Sequence, residues 1–242
     1  MRIYHGGPAF GVLEHCRRAA PSHVHGACWT PAKMTPHEWP YFIDNGAFTS
    51  DFDSEGWLAL LDTLDETMPH PPDLVVLPDE LNDAQATIER HREWAPAVFD
   101  RDLRPAFVMQ PGLPVRQQVA LADGLGADLV FVGGECRWQR AHGREIVTEA
   151  HDRGLRAHIG NPGGKDGLLW CYKAGFDSAD TSTIVQNQYW HWLEELEALR
   201  GTPVKKDGRQ SSLTETFVPA TDGGSSRYQE AGTDRSEGGD RP

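Results

Sequence analysis

Six short apolar runs in this 242-residue chain end in residues that bind or react rather than pack. Tyr41-Phe42-Ile43 ends in Asp44-Asn45-Gly46-Ala47-Phe48, and Val75-Val76-Leu77 ends in Pro78-Asp79-Glu80. Phe107-Val108-Met109 ends in Gln110-Pro111-Gly112, and Val130-Phe131-Val132 ends in Gly133-Gly134-Glu135. Ala157-His158-Ile159 ends in Gly160-Asn161-Pro162, and Asp177-Ser178-Ala179 ends in Asp180-Thr181-Ser182. Carboxylates grouped with a glutamine and glycine-exposed backbone amides suit a planar polar heterocycle. The Watson–Crick edge of a purine offers N–H donors to carboxylates and a carbonyl to an N–H. A carboxylate left over can attack a sugar carbon and form a covalent glycosyl-enzyme. Taken singly, Asp44, Asp79 and Asp180 read equally well as helix N-caps or turn formers. A glutamine closing Phe-Val-Met is harder to explain by turn chemistry, and paired glycines let a ligand approach the backbone. The conjunction argues for one site more than any single residue does.

The elements that must carry these residues alternate. Apolar runs stand at Arg2–His5, Val24–Trp29, Tyr41–Asp44, Leu74–Pro78, Ala106–Gln110, Leu129–Gly133, Arg156–Gly160 and Ser178–Thr181. Several are continuously apolar, as strands buried on both faces are, which indicates a parallel sheet covered by helices. Helical patterns lie at Glu55–Leu64, Ala84–Trp94, Val115–Gly124, Arg144–Arg153 and Tyr189–Arg200, the last ending at Gly201 as at a C-cap. Strand and helix in alternation give an α/β fold. Eight candidate strands close a compact (β/α)8 barrel, whose C-terminal strand ends converge on one functional rim. The Val24–Trp29 strand is the weakest of the eight. A doubly wound sheet competes, but no G-x-G-x-x-G follows the first strand.

Composition bounds the rest. The barrel is expected over residues 1–202. Residues 203–242 are dominated by Gly, Ser, Thr, Asp, Glu and Arg and read as a low-complexity, mostly disordered tail, with Phe217-Val218 as a local docking point. Formal net charge is −13, and the tail, with seven acids and six bases, accounts for little of it. Five lysines against eighteen arginines fit either a protein kept soluble by self-repulsion or a GC-rich coding bias. No apolar run reaches the ~20 residues of a membrane-spanning helix, and the start lacks a signal core, so a cytoplasmic protein with no membrane partner is expected. Cys16, Cys28, Cys136 and Cys171 form no C-x-x-C pair, which argues against disulfides and thiolate zinc. A generic basic footprint for nucleic acid is missing.

In this order and spacing, Asp-Asn-Gly-Ala-Phe, Pro-Asp-Glu, Val-Met-Gln-Pro-Gly, Val-Gly-Gly-Glu and Gly-Phe-Asp-Ser-Ala-Asp resemble the tRNA-guanine transglycosylase superfamily, over roughly Tyr41 to Thr183. Members of that family are (β/α)8 barrels that exchange guanine in a polynucleotide for a 7-deazaguanine base. The resemblance implies that Asp180 is the nucleophile at C1′ and that Asp44 is a general acid/base near the leaving base. It implies that Asp79 reads the base edge, that Gln110 and the amides of Gly133 and Gly134 bind its carbonyl and edge, and that Asn45 and Phe48 belong to the same site. Asn45 stands where the family has Ser, and Ala47 where it has Gly. The Cys/His zinc site and basic tRNA-binding inserts of the tRNA enzymes have no counterpart here. The chain is thus more similar to the short, zinc-less branch encoded by phages and DNA-modification clusters, acting in the host cytoplasm if virus-encoded. That branch inserts 7-deazapurines such as preQ0 into DNA. The implied partners are guanine-containing DNA, a free 7-deazaguanine and accessory DNA-modification proteins, with no cofactor and no metal.

Target-base extrusion from a duplex costs a few kcal/mol. Lys33, Lys165, Lys173, Arg137 and Arg140 are read as loop residues near phosphates, with solvated surface charge the plain alternative. Trp138 is a candidate for base stacking or for packing on the barrel. Rival readings are a tRNA-directed enzyme, a metal-dependent amidohydrolase built on His23-Val24-His25, His158 and Asp180, and a catalytically dead base-binding module. If carboxylates are the chemistry itself, acidity does not exclude DNA. It leaves binding to base extrusion and pocket contacts, with weak salt dependence.

Overall fold

Eight parallel strands pair in chain order and close on themselves: β1 (Arg2–Gly6), β2 (Val24–Trp29), β3 (Tyr41–Ile43), β4 (Val75–Val76), β5 (Pro105–Met109), β6 (Leu129–Val132), β7 (Arg156–Ile159) and β8 (Ser178–Thr181). The computed structural model describes residues 1–8, 10–31, 34–46 and 52–200. Expectations for Lys33, Phe48 and the 203–242 tail lie outside the described residues. Helices α1 (Phe10–Ala19), α2 (Ser54–Thr67), α3 (Ala84–Phe99), α4 (Val115–Gly124), α5 (Cys136–Asp152), α6 (Gly164–Ala174), α7 (Thr183–Asn187) and α8 (Trp190–Ala198) surround the sheet. This is the (β/α)8 barrel that the alternation of apolar runs and helical patterns predicts. Among the described residues, no helix is long and apolar enough to cross a membrane.

Side chains alternate across the strands, so each strand feeds two cores. Tyr4, Phe42, Leu74, Val76, Ala106, Val108 and Leu129 form one buried cluster inside the barrel, with Cys28 and Phe131 against it. Their neighbours face the helices. Ile3, Phe107, Val130, Val132, Ala157, Ile159 and Ala179 pack with residues of α4, α5 and α6, and Ala27, Trp29, Tyr41, Ile43 and Val75 pack with Trp57, Leu61 and Val98. At the lower end Tyr4 Oη donates to Asp73 Oδ2 at 2.8 Å, and Arg2 pairs with the same carboxylate.

The Val24–Trp29 strand, weakest in the sequence, is present in full and bonds to both neighbours. Three helices were not legible: α1, α6 and the short α7. The pattern read as Arg144–Arg153 begins earlier, at Cys136. Arg137, Trp138 and Arg140 therefore sit on a helix rather than in a loop, and so do Lys165 and Lys173 on α6. Arg140 stacks over Trp170 at 4.5 Å, Lys165 pairs with Glu195 at 3.0 Å, and Trp138 packs against the core.

Gly26 shows how tightly the interior is filled. A Cβ there would lie 2.5 Å from Pro40 O and 2.9 Å from the Tyr4 ring, so the large ring on β1 requires no side chain on β2. Gly26→Ala is expected to destabilise the fold by about 1–3 kcal/mol through overpacking. Urea unfolding should show a lower midpoint with an unchanged slope.

Candidate active site

Barrel closure brings seven of the expected site residues to one place. Asp44, Asn45, Asp79, Gln110, Gly133, Gly134 and Asp180 all line a single cavity of about 590 Å3 at the C-terminal ends of the strands. Val76, Val108 and Phe131, from the interior core, form its floor. Glu135 and Cys136, at the N-terminus of α5, stand at its edge. The cap reading is settled by position. Asp53 and Asp83 cap α2 and α3, accepting from Gly56 N and Ala86 N at 3.0 Å each, while Asp79 and Asp180 cap no helix.

Asp180 lies on β8 in register with Tyr4 of β1. Behind it stands His158, fully buried, whose Nε2 lies 3.0 Å from Asp180 Oδ1 and whose Nδ1 lies 2.8 Å from Ser178 Oγ. A carboxylate only accepts, so Nε2 is the donor toward Asp180, and Ser178 Oγ holds the other ring nitrogen. The ring is clamped by stacking on Phe131, with centroids 4.5 Å apart. Asp180 is therefore held through Oδ1 and lines the cavity.

Asp44 Oδ1 accepts from Gly46 N at 3.1 Å, and the Cys28 thiol approaches Oδ2 at 3.9 Å. Burial raises the Asp44 carboxyl from 3.8 to about 6; the Gly46 amide opposes this, and the charges of Asp180 and Asp79 add to it. Burial, then the charges of Asp44 and Asp180, push the Cys28 thiol well up. That thiol stays protonated and behaves as a weak donor.

Asp79 is held on both oxygens. Asn45 Nδ2 donates to Oδ1 at 2.9 Å and to Leu77 O at 2.8 Å, and Gln110 Nε2 donates to Oδ2 at 2.7 Å. Gln110 is fixed in turn. Its Oε1 accepts from Asn82 N at 3.1 Å, and its backbone N–H and C=O are both bonded by Gln118. Burial raises the Asp79 carboxyl, and the bonds from Asn45 and Gln110 pull it back down. Gly133 is glycine because a Cβ would lie 2.6 Å from Gln110 Nε2. Its N–H donates to Met109 O at 3.0 Å and so extends the sheet ladder. This corrects the expectation that both glycine amides face a base: Gly134 N–H, at φ +72°, is the one that makes no hydrogen bond among the described residues.

His158, Ser178, Gln118 and Cys28 were not read from the sequence as site residues in these roles. His158 and Cys28 each sit within an apolar strand and look like core. Gln118 lies mid-helix, where nothing in the pattern sets it apart. The amidohydrolase set is not assembled. His23 Nδ1 lies 3.3 Å from Met1 O, and His25 faces α1 with Nε2 3.1 Å from Ala20 O. Neither approaches His158 and Asp180 inside the barrel. Among the described residues, no group of three His, Cys, Asp or Glu in the cavity can share an ion.

No family model and no curated protein matches the sequence. Similar solved structures include a chain of the tryptophan synthase α2β2 complex from the hyperthermophile Pyrococcus furiosus, at 10% identity and TM-score 0.51, covering 82% of this chain and 94% of that one. A native KDPGal structure follows at 10% identity and TM-score 0.39, covering 81% and 90%. The YdjI aldolase from Escherichia coli K12 stands at 10% and 0.40, covering 81% and 84%. At such identity the likeness reports the barrel fold alone.

The Asp44 shift has a consequence for stability. Between pH 3.8 and about 6 the folded state holds more proton than the unfolded chain. Stability therefore falls as pH rises through that window and stays lower above it. Asp44→Asn cannot ionise, so it should be more stable than the native chain at pH 8 by on the order of 1–3 kcal/mol, and should show no gain at pH 4. Thermal melts at the two pH values measure this, and an equal effect at both would contradict it.

Proposed function

We propose that the chain is a base-exchange transglycosylase that replaces guanine in DNA with a 7-deazaguanine of the preQ0 type. The observation that carries this reading is the common cavity. Residues scattered from Asp44 to Asp180, in the order that resembles the transglycosylase superfamily, line one pocket of a size suited to a purine-sized ligand. The division of labour among the carboxylates supports it as well. Asp180 is aimed by His158, Asp44 has its carboxyl raised to about 6, and Asp79 is fixed by two amide donors.

In this mechanism Asp180 attacks C1′ of the extruded nucleotide. The C1′–O bond forms as C1′–N9 breaks, and Asp44 donates its proton to the departing guanine. The incoming base occupies the same pocket and loses its N9 proton to Asp44. Its N9 attacks C1′ and releases the Asp180 carboxylate. One group works as acid and then as base, and a carboxyl titrating near 6 serves both directions close to neutrality. Asp79 accepts from the N–H groups of the base edge through lone pairs that Asn45 and Gln110 do not use. Gly134 N–H meets the base carbonyl. The weak electrostatic pull of an acidic chain leaves affinity to base and pocket contacts.

Incubating the chain with guanine-containing DNA and a labelled 7-deazaguanine should transfer label to DNA, and Asp180→Ala should transfer none. Label entering tRNA alone would overturn the substrate. Transfer undiminished in Asp180→Ala would overturn the mechanism. In the same assay, His158→Leu should lower kcat by about 10–100-fold with KM for the base unchanged, because it misaims Asp180 and leaves the pocket in place.

A further inference from the structure

A second group of reactive side chains lies on the opposite side of the sheet from the cavity, in the layer between β1, β2 and α1. His5 of β1, His25 of β2 and Cys16 of α1 are buried with at most 2% exposure. Each offers a ligand atom, and these atoms lie within 4.8 Å of one another. His5 Nε2 and His25 Nδ1 face each other at 3.2 Å. Two metal–nitrogen bonds of ~2.0–2.1 Å at a tetrahedral angle place their nitrogens about 3.3 Å apart.

The surroundings prepare the two imidazoles as ligands, while burial pushes the Cys16 thiol up to about 12, so an ion must displace its proton. His25 Nε2 lies 3.1 Å from Ala20 O, which only accepts. Nε2 therefore carries the proton, and Nδ1 turns its lone pair toward His5. A ligating imidazole is oriented in this way by a carbonyl on its far nitrogen. Without an ion, His5 Nε2 donates to that lone pair, and an ion binding both nitrogens shifts the His5 proton to Nδ1, which is buried with no partner among the described residues. Burial holds both rings neutral, with His5 lowered to about 3 and His25 to about 4. Neutral imidazole is the form that binds metal. Without an ion, the three buried groups have a single hydrogen bond among them, the one between the rings.

We propose that His5, Cys16 and His25 form a metal site for a thiophilic ion, Zn2+ or Cu+, that ties α1 to the first two strands. Two imidazoles and a thiolate, with no carboxylate, suit those ions and not Mg2+ or Ca2+, which need oxygen ligands. On binding, the Cys16 S–H bond breaks, the metal–sulfur bond forms and the proton leaves to solvent. The negative thiolate then offsets the charge of the buried cation. Location gives the site its use. The ion ties β1, whose His5 pairs in register with Thr181 of β8, to β2 and α1.

The test uses the full chain, loaded separately with Zn2+ and with Cu+ under reducing conditions, followed by elemental analysis. Cobalt substitution reports whether sulfur is a ligand. One of the two ions should be retained at one equivalent per chain and should raise the melting temperature. Cobalt should give a thiolate-to-metal charge-transfer band. Cys16→Ala and His5→Phe should each lose the ion, with helical circular dichroism kept. If either variant fails to fold, the cobalt band of the native chain decides. No retained ion, retention unchanged in both variants, or a cobalt spectrum with no thiolate band would each overturn the site.

Discussion

Pairing of β1 with β8 holds the molecule together as a functional object. Four register pairs, Arg2 with Ser178, Ile3 with Ala179, Tyr4 with Asp180 and His5 with Thr181, turn an open sheet into a closed ring. Closure forces every strand to end on the same rim and removes both sheet edges. It also fixes which residues alternate inward. Tyr4 fills the interior against Gly26, Phe42 packs edge-on against Tyr4 at 4.9 Å, and Phe131 carries the His158 ring. Without that seam, Asp180 and Asp44, which lie over a hundred residues apart in sequence, would stand along an open sheet edge instead of facing one cavity.

The rim then bears an electrostatic cost. Three carboxylates share one cavity, and the carboxyls of Asp44 and Asp79 are raised by burial. The chain offsets this with a graded set of donors. Gln118 holds Gln110, Gln110 and Asn45 hold Asp79, His158 holds Asp180 and the Gly46 amide holds Asp44. Such a network is strong only when every member is satisfied. Its members differ in the donors they receive: Asp79 has two side-chain amides, while Asp44 has the backbone amides of Gly46 and Asn45 and a weak thiol. Despite those donors, burial and the charges of Asp180 and Asp79 leave the Asp44 carboxyl raised to about 6, which is the property an acid/base group requires.

The barrel was legible because its strands are continuously apolar. Val130-Phe131-Val132 and Phe107-Val108-Met109 have few other ways to fold, and polar residues closing such runs stand out. α6 was hidden for a physical reason. α6 opens with Gly163, Gly164 and Gly167, which locally read as loop, and the helix forms because Leu168 and Cys171 find the core. α5 starts at Cys136, next to the Gly133-Gly134 turn, so the loop reading ran too far. At the rim, residue types showed where chemistry could sit but not which atoms face the cavity. Gly133 serves the Gln110 side chain rather than a ligand amide, and Asn45 supports Asp79. His158 belongs with Asp180 only because β7 and β8 are neighbours, which no local pattern states.

The central claim is that Asp180 carries the sugar as a covalent intermediate in the cavity. Mixing the chain with guanine-containing DNA without any incoming base, quenching in denaturant and digesting for peptide mass spectrometry tests it most directly. The account predicts a nucleotide-sized mass increase on the peptide that holds Asp180, released when a 7-deazaguanine is added before the quench. An adduct mapped to Asp44 or to another residue, or base exchange proceeding with no adduct on any peptide, would contradict it.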